Sequence, residues 1–188
     1  ANKNPTGRRV TTNDYSSADY YYVNKSSLPK VYGGFNTSLS WKGFDLSAIF
    51  AYSIGGYIYN RDITMILHNG SLEGRDWSTE ILRRWTPDNR YTDVPALSTT
   101  SNNWNSASTR FLQNNSYMRL KNLTLSYNLP KQWISKLSLS SVQVYVQGDN
   151  LFTIHRNQGL DPEQGITGIT YYRYPAMRTI SGGINLSF

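Results

Sequence analysis

Five stretches of the chain alternate apolar and polar side chains with a period of two, the pattern of β-strands that present one apolar face. In FNTSLSW, Phe35, Leu39 and Trp41 share a face with Thr37 in phase. Lys42-Gly43 follows as a tight-turn signal. FDLSAIFAYSI then sets Phe44, Leu46, Ala48, Phe50, Tyr52 and Ile54 against Asp45, Ser47, Ala51 and Ser53, with Ile49 the one exception. These two runs predict a hairpin. YMRLKNLTLSYNLP changes phase: Met118 and Leu120 have even numbers, whereas Leu123, Leu125, Tyr127 and Leu129 are odd. A one-residue slip flips every side chain to the other face, so a β-bulge is predicted near Lys121-Asn122. SVQVYVQGDNLF opposes Val142, Val144, Val146, Gly148 and Phe152 to Gln143, Tyr145, Gln147 and Asp149. In the closing TISGGINLSF, Ile180, Gly182, Ile184, Leu186 and Phe188 stand against Thr179, Ser181, Asn185 and Ser187.

The strands predicted from these runs cover residues 34–42, 44–59, 115–129, 141–153 and 176–188. Loops are expected over 1–33, 60–114 and 154–175. Within the second loop, STEILRRW reads as a short helix, with Ser78 as N-cap, Glu80 in the first turn and Pro87 as the stop. The runs exceed the five to six residues typical of a soluble strand. Short and long connections also alternate, as the periplasmic turns and extracellular loops of outer-membrane barrels do. Aromatic residues stand near the strand ends, where interfacial girdles occur. The fold class read here is therefore all-β, a set of antiparallel strands from a transmembrane barrel wall. A soluble all-β domain with an aromatic core stays open on pattern alone. Five strands fall short of the roughly eight that a membrane barrel needs, and open edges are not tolerated in lipid. The barrel reading therefore expects the chain to be a piece of a larger wall.

Composition narrows the field. The 188 residues include 15 Tyr, 6 Phe and 5 Trp, which argues against intrinsic disorder, although mean hydropathy is only -0.53. No apolar run approaches the roughly 20 residues of a membrane helix. The absence of Cys excludes disulfides and thiolate metal sites. A net charge of +7 raises nucleic-acid binding, but Lys and Arg are scattered singly apart from the doublets Arg8-Arg9 and Arg83-Arg84, and no recognition motif appears, so no nucleic-acid partner is expected. No basic and apolar leader opens the chain. This points either to a cytoplasmic protein or to a start that is not the true N-terminus.

Candidate chemistry is sparse. No catalytic constellation, phosphate loop or nucleophile elbow is present, so the chain is not expected to be an enzyme, and no cofactor or metal is expected. His68 and His155 read as solvated loop residues. Asp161 and Glu163 in DPEQG could touch Ca²⁺ but supply too few oxygens for a full site; a turn with exposed acids is the expectation. The loop aromatics Tyr20, Tyr21, Tyr22, Trp104, Tyr171, Tyr172 and Tyr174 are the candidate contact residues. Exposed rings stack on sugar faces or pack on protein partners.

Several long segments together carry a resemblance: VYGGFNTSLSWKGFDLSAIFAYSIGGYIYN, RRWTPDNRYTDVPAL, SYMRLKNLTLSYNLPKQW, VYVQGDNLFTIHRNQGLDPE and YPAMRTISGGINLSF. In this order and spacing they resemble the C-terminal third of SusC/RagA-type TonB-dependent outer-membrane transporters of Bacteroidetes. The resemblance implies the last five strands of a barrel of about 22 strands, in the outer membrane of a Gram-negative bacterium. It further implies a plug and TonB box in the remaining N-terminal part, energy from the TonB complex, and a SusD-like surface lipoprotein as lid. The cargo would be oligosaccharides or oligopeptides. Ile184, Leu186 and Phe188 would form the signal read during barrel assembly. A passive barrel or a surface adhesin anchor is the alternative.

Overall fold

The computed structural model describes residues 12, 14–70, 72–98, 103, 105–135, 139–157, 159, 161–163 and 167–188. Its strands are β1 (Val31–Trp41), β2 (Phe44–Ile54), β3 (Tyr57–Asn60), β4 (Leu112–Asn114), β5 (Tyr117–Asn128), β6 (Ser141–His155), β7 (Ile169–Thr170) and β8 (Thr179–Ser187). Two short helices, α1 (Arg61–Ile66) and α2 (Lys131–Ile134), follow β3 and β5. The chain divides into two compact units. The sheet unit comprises Ser26–Tyr57, Asn114–Gly168 and Arg173–Phe188; the loop unit comprises Ala1–Lys25, Ile58–Gln113 and Ile169–Tyr172.

The sheet unit is built on five antiparallel strands in the order β1-β2-β5-β6-β8. The Lys42-Gly43 turn joins β1 to β2, both residues at positive φ (+48° and +88°). This is the mirror-image turn whose twist matches the flanking strands. The predicted bulge is present. Lys121 has no partner on β2, and on β6 it faces two residues, Asn150 and Leu151, because Leu120 pairs Phe152 and Asn122 pairs Asp149. Asn150 takes a left-handed φ of +52° to accommodate the extra residue.

The bounds of several strands differ from the expected ones, for local reasons. The second strand stops at Ile54 rather than 59, since Gly55 at φ +91° turns the chain away and Tyr57 donates to the Ser26 carbonyl. The last strand begins at Thr179, not 176. The Ala176 N–H is engaged by Asp161, and the Met177 carbonyl accepts from the Asn150 side chain. β6 runs on to His155. The region expected as loop over 60–114 carries α1, a 3₁₀ turn at Thr79–Arg83 with Ser78 as N-cap, and β4.

In the loop unit, β3 and β7 pair in parallel, Tyr59 with Ile169 and Asn60 with Thr170. The Asn60 side chain caps α1 by accepting from the Ile63 N–H at 3.1 Å. Leu67, Ile81 and Val94, with Ile63 packed beside them, make a small apolar core. Among the described residues no helix is long and apolar enough to cross a membrane, which says nothing of strands.

Candidate functional site

The register of the five-stranded sheet sorts its side chains into two unlike faces. On one, cross-strand rows read Trp41-Phe44-Tyr127-Val144-Ile184, Leu39-Leu46-Leu125-Val146-Gly182 and Thr37-Ala48-Leu123-Gly148-Ile180. Phe35 stacks on Phe50 at 4.7 Å between ring centroids, and Phe44 lies 4.4 Å from Tyr127. Much of this face is uncovered, with Leu39 at 67% and Ile180 at 72% exposure. An apolar surface of this extent marks an interaction face, not an ordinary exterior.

The opposite face is a lattice of polar side chains. Asp45 accepts from Ser40 and Asn128, and Asn122 donates to Asp149 at 2.8 Å while accepting from Thr124 at 2.9 Å. Gln143 bridges Ser126 and Asn185. Ile49 is the one large apolar residue in its stretch of this face, and it stays half exposed. Polar groups that satisfy one another sideways leave their outer surface suited to water.

Toward the end of this face that carries Tyr117 and His155, Arg119 is almost fully buried. Its Nε donates to Thr153 on β6 at 2.9 Å, Nη1 to Glu163 at 2.8 Å and Nη2 to Asp161 at 2.5 Å. Lys121 adds a second cation on Glu163. Burial resists ionisation of Asp161, but the backbone N–H groups of Ala176 and Glu163 and the Arg119 guanidinium outweigh it. Together they hold the carboxyl below its ordinary value. Asp161 is thus not the exposed acid expected from the sequence, whereas Glu163 is exposed as expected. The Asp161 side chain is 7% exposed, because a buried guanidinium requires carboxylates within reach.

The histidines also depart from expectation. His68 is buried, its Nδ1 accepting from the Trp77 indole at 3.1 Å and the Gly70 N–H at 3.2 Å. A folded loop unit encloses it where a solvated loop was expected. His155 ends β6 instead of lying in a loop, although it is exposed as expected.

The structure brings Tyr171 and Tyr172 together, with centroids 4.5 Å apart. Both remain at least half exposed. They are nevertheless fastened to α1. The Arg61 guanidinium lies 4.8 Å from the Tyr171 ring, and the Tyr172 N–H donates to Asp62 at 3.0 Å. Tyr172 itself adopts φ +47°, a conformation that β7 before it and the Asp62 bond hold in place. Tyr20, Tyr21 and Tyr22 are three successive exposed rings, and Tyr174, in the sheet unit, is 89% exposed. Trp104 lies outside the described residues. Ile184 and Leu186 stand exposed on the apolar face of β8, with Phe188 just beyond it.

No family model matches the chain. Among curated proteins it is similar to TonB-dependent receptor P3 of Formosa agariphila, at 34% identity over 82% of this chain and 16% of the relative. It is also similar to the TonB-dependent receptor SusC of Bacteroides thetaiotaomicron, at 28% identity over 89% of this chain and 16% of SusC. Among solved structures, a chain of the RagAB peptide importer in its 'closed-closed' state superposes with a TM-score of 0.83 and 36% identity. That superposition covers 98% of this chain and 20% of the importer chain. The homologues of this chain are TonB-dependent receptors. The chain spans only 16% of the length of each of these two curated relatives. The five-stranded sheet matches a stretch of TonB-dependent receptor barrel and does not close on itself. The relatives are receptors and transporters, not enzymes.

Sequence reasoning missed the Arg119 cluster. The available signal was a lone Arg at a polar-face position of β5 and a pair of acids two residues apart in the following loop.

Proposed function

We propose that this chain is the C-terminal part of the barrel of a TonB-dependent outer-membrane importer of about 22 strands. One observation carries the reading: a sheet with an uncovered apolar face and a hydrogen-bonded polar face, matching RagAB importer architecture over nearly its whole length. A wall of this kind sets its apolar rows against lipid and its polar lattice toward a wet lumen. The N-terminal part supplies the plug and the coupling to the TonB complex, and a SusD-like lipoprotein caps the outer end. The cargo is an oligopeptide or oligosaccharide, the first favoured by the 36% identity to a peptide importer. Tyr171 and Tyr172, exposed yet fixed on α1, offer rings to cargo or lid, with Tyr20, Tyr21, Tyr22, Trp104 and Tyr174 as further contact candidates. Ile184, Leu186 and Phe188 form the pattern recognised during membrane insertion.

The test uses the full transporter in its outer membrane, with uptake of labelled oligopeptides and oligosaccharides and recovery of the lipoprotein as readouts. Replacing both Tyr171 and Tyr172 by Ala is expected to lower uptake or lid recovery roughly tenfold, at normal barrel levels, as the loss of two ring contacts of about 0.5–1.5 kcal/mol each implies. Phe188→Ala is expected to lower the barrel level itself. Unchanged uptake and lid recovery contradict the contact role, and unchanged Phe188→Ala levels contradict the assembly role. Uptake that survives loss of TonB means a passive barrel and contradicts the importer reading.

A further inference from the structure

The polar face of the sheet holds one cluster that the barrel wall by itself does not need. Other positions on that face carry Ser126, Asn122, Asp149, Gln143 and Asn185, whose hydrogen bonds run from strand to strand. Arg119 differs. One donor goes sideways to Thr153, and two leave the sheet for carboxylates of the loop after β6. Asp161 is the node of the cluster. Its Oδ1 accepts from Arg119 and from the Glu163 N–H at 2.9 Å, and its Oδ2 accepts from the Ala176 N–H at 2.7 Å. One carboxylate thereby joins strand β5 to both ends of the loop, 161–163 and 176. A second fastening stands beside it, where Asn115 donates to the Pro162 carbonyl at 2.8 Å and accepts from Asn157 at 3.0 Å.

We propose that Arg119 is a positioning residue, a buried latch that holds the loop after β6 against the polar face of the wall through Asp161. The charges balance within the latch, Arg119 and Lys121 against Asp161 and Glu163. Pro162, Pro175 and Ala176 beside it have no long apolar side chain to bury, and they line an open cleft of about 470 Å³ with Phe152, His155 and Arg178. Retention of the loop therefore rests on directional polar bonds, not on a dry core. Removing Arg119 leaves two carboxylates close together with one fewer cation, which favours an outward swing into water. Tyr174, two residues before Ala176, moves with the loop. The latch needs only the sheet and its loop; that it serves cargo entry rests on the importer reading.

The groups facing Asp161 are Arg119, Glu163, the Ala176 N–H and, electrostatically, the Tyr117 phenol, with His155 and Arg178 around the cleft. Because the Asp161 carboxyl lies below its ordinary value of 3.8, the carboxylate stabilises the latched form above that range. The contribution is lost as pH falls through the depressed value. The latch is therefore closed throughout the neutral range.

This chain contains no Cys, so a Tyr174→Cys substitution gives a single spin-label position within it. In the full transporter in lipid, the label is expected to be restrained in the parent. Its mobile fraction should rise several-fold in Arg119→Gln and in Asp161→Asn, with the double variant no more mobile than either single one. Lys42→Gln, at the far turn, should leave it unchanged. An unchanged label in Arg119→Gln, or additive increases in the double variant, overturns the latch. If Arg119→Gln does not assemble, the parent is titrated instead. Mobility that is constant from about pH 7 to about pH 5 and rises only below the ordinary carboxylate range supports the latch, and a rise already near neutrality, or none on acidification, contradicts it. Uptake is scored on the same variants. A released label with normal uptake keeps the latch and contradicts its part in import, whereas an unreleased label contradicts the latch whatever uptake does.

Discussion

Leu123→Arg is expected to destabilise the membrane-embedded barrel by about 2–4 kcal/mol, the penalty for a lipid-facing cation near mid-depth. Leu123 lies midway along β5 in the row Thr37-Ala48-Leu123-Gly148-Ile180, well inside the aromatic row Trp41-Phe44-Tyr127. The next residue, Thr124, stands on the polar face, bonded to Asn122. Arg there should change stability by less than about 1 kcal/mol. Depth is the discriminating variable. Val144→Arg, in the aromatic row itself, should cost only about 0–1 kcal/mol, as expected near an interface. A soluble sandwich would penalise Leu123→Arg and Val144→Arg alike, since both would enter a dry core. Denaturant unfolding of the full barrel in lipid reads all three.

Phe111→Ala is expected to have the largest effect within the loop unit, about 3–5 kcal/mol for emptying a buried aromatic site. Phe111 is 1% exposed, stands edge-on to Tyr59 at 6.1 Å, and has the Arg110 guanidinium 5.6 Å from its ring. Among the described residues, the apolar cluster of that unit is small: Leu67, Ile81 and Val94 with Ile63. With so small a reserve, the loss should open the loop unit locally and leave the sheet intact. Limited proteolysis should find new cleavage within 60–114 while the β5 and β6 segments stay protected. Protection of the loop equal to the parent's would contradict the part given to Phe111 in holding the unit together.

The wall was legible because its signal is local. Alternation along a strand reports the two faces directly, Lys42-Gly43 needs only its own two dihedral preferences, and the phase change in YMRLKNLTLSYNLP marks the bulge within one run of sequence. The loops were legible only in part. Ser78 announced a cap, and the turn it starts is 3₁₀. The parallel pairing of Tyr59 with Ile169, however, joins residues with no local cue between them. The same holds for Arg119 and Asp161. Their meeting depends on the path of a loop, which periodicity does not encode. His68 reads as a polar loop residue until Trp77 and two backbone N–H groups supply the donors that make its burial tolerable. The ring pair Tyr171-Tyr172 was visible as composition, but its anchoring by Arg61 and Asp62 was not.

In a barrel wall the two faces of this sheet meet different solvents, lipid on the apolar side and water on the other. Single spin labels at successive positions of β5 and β8 in the full transporter, Leu123, Thr124 and Leu125, then Ile184 and Asn185, measure collision with oxygen, which concentrates in lipid, and with a water-soluble nickel chelate. Strict alternation is expected: oxygen collisions high at Leu123, Leu125 and Ile184, chelate collisions high at Thr124 and Asn185. Equal chelate access at both sets of positions, or equal exclusion from both, would contradict it.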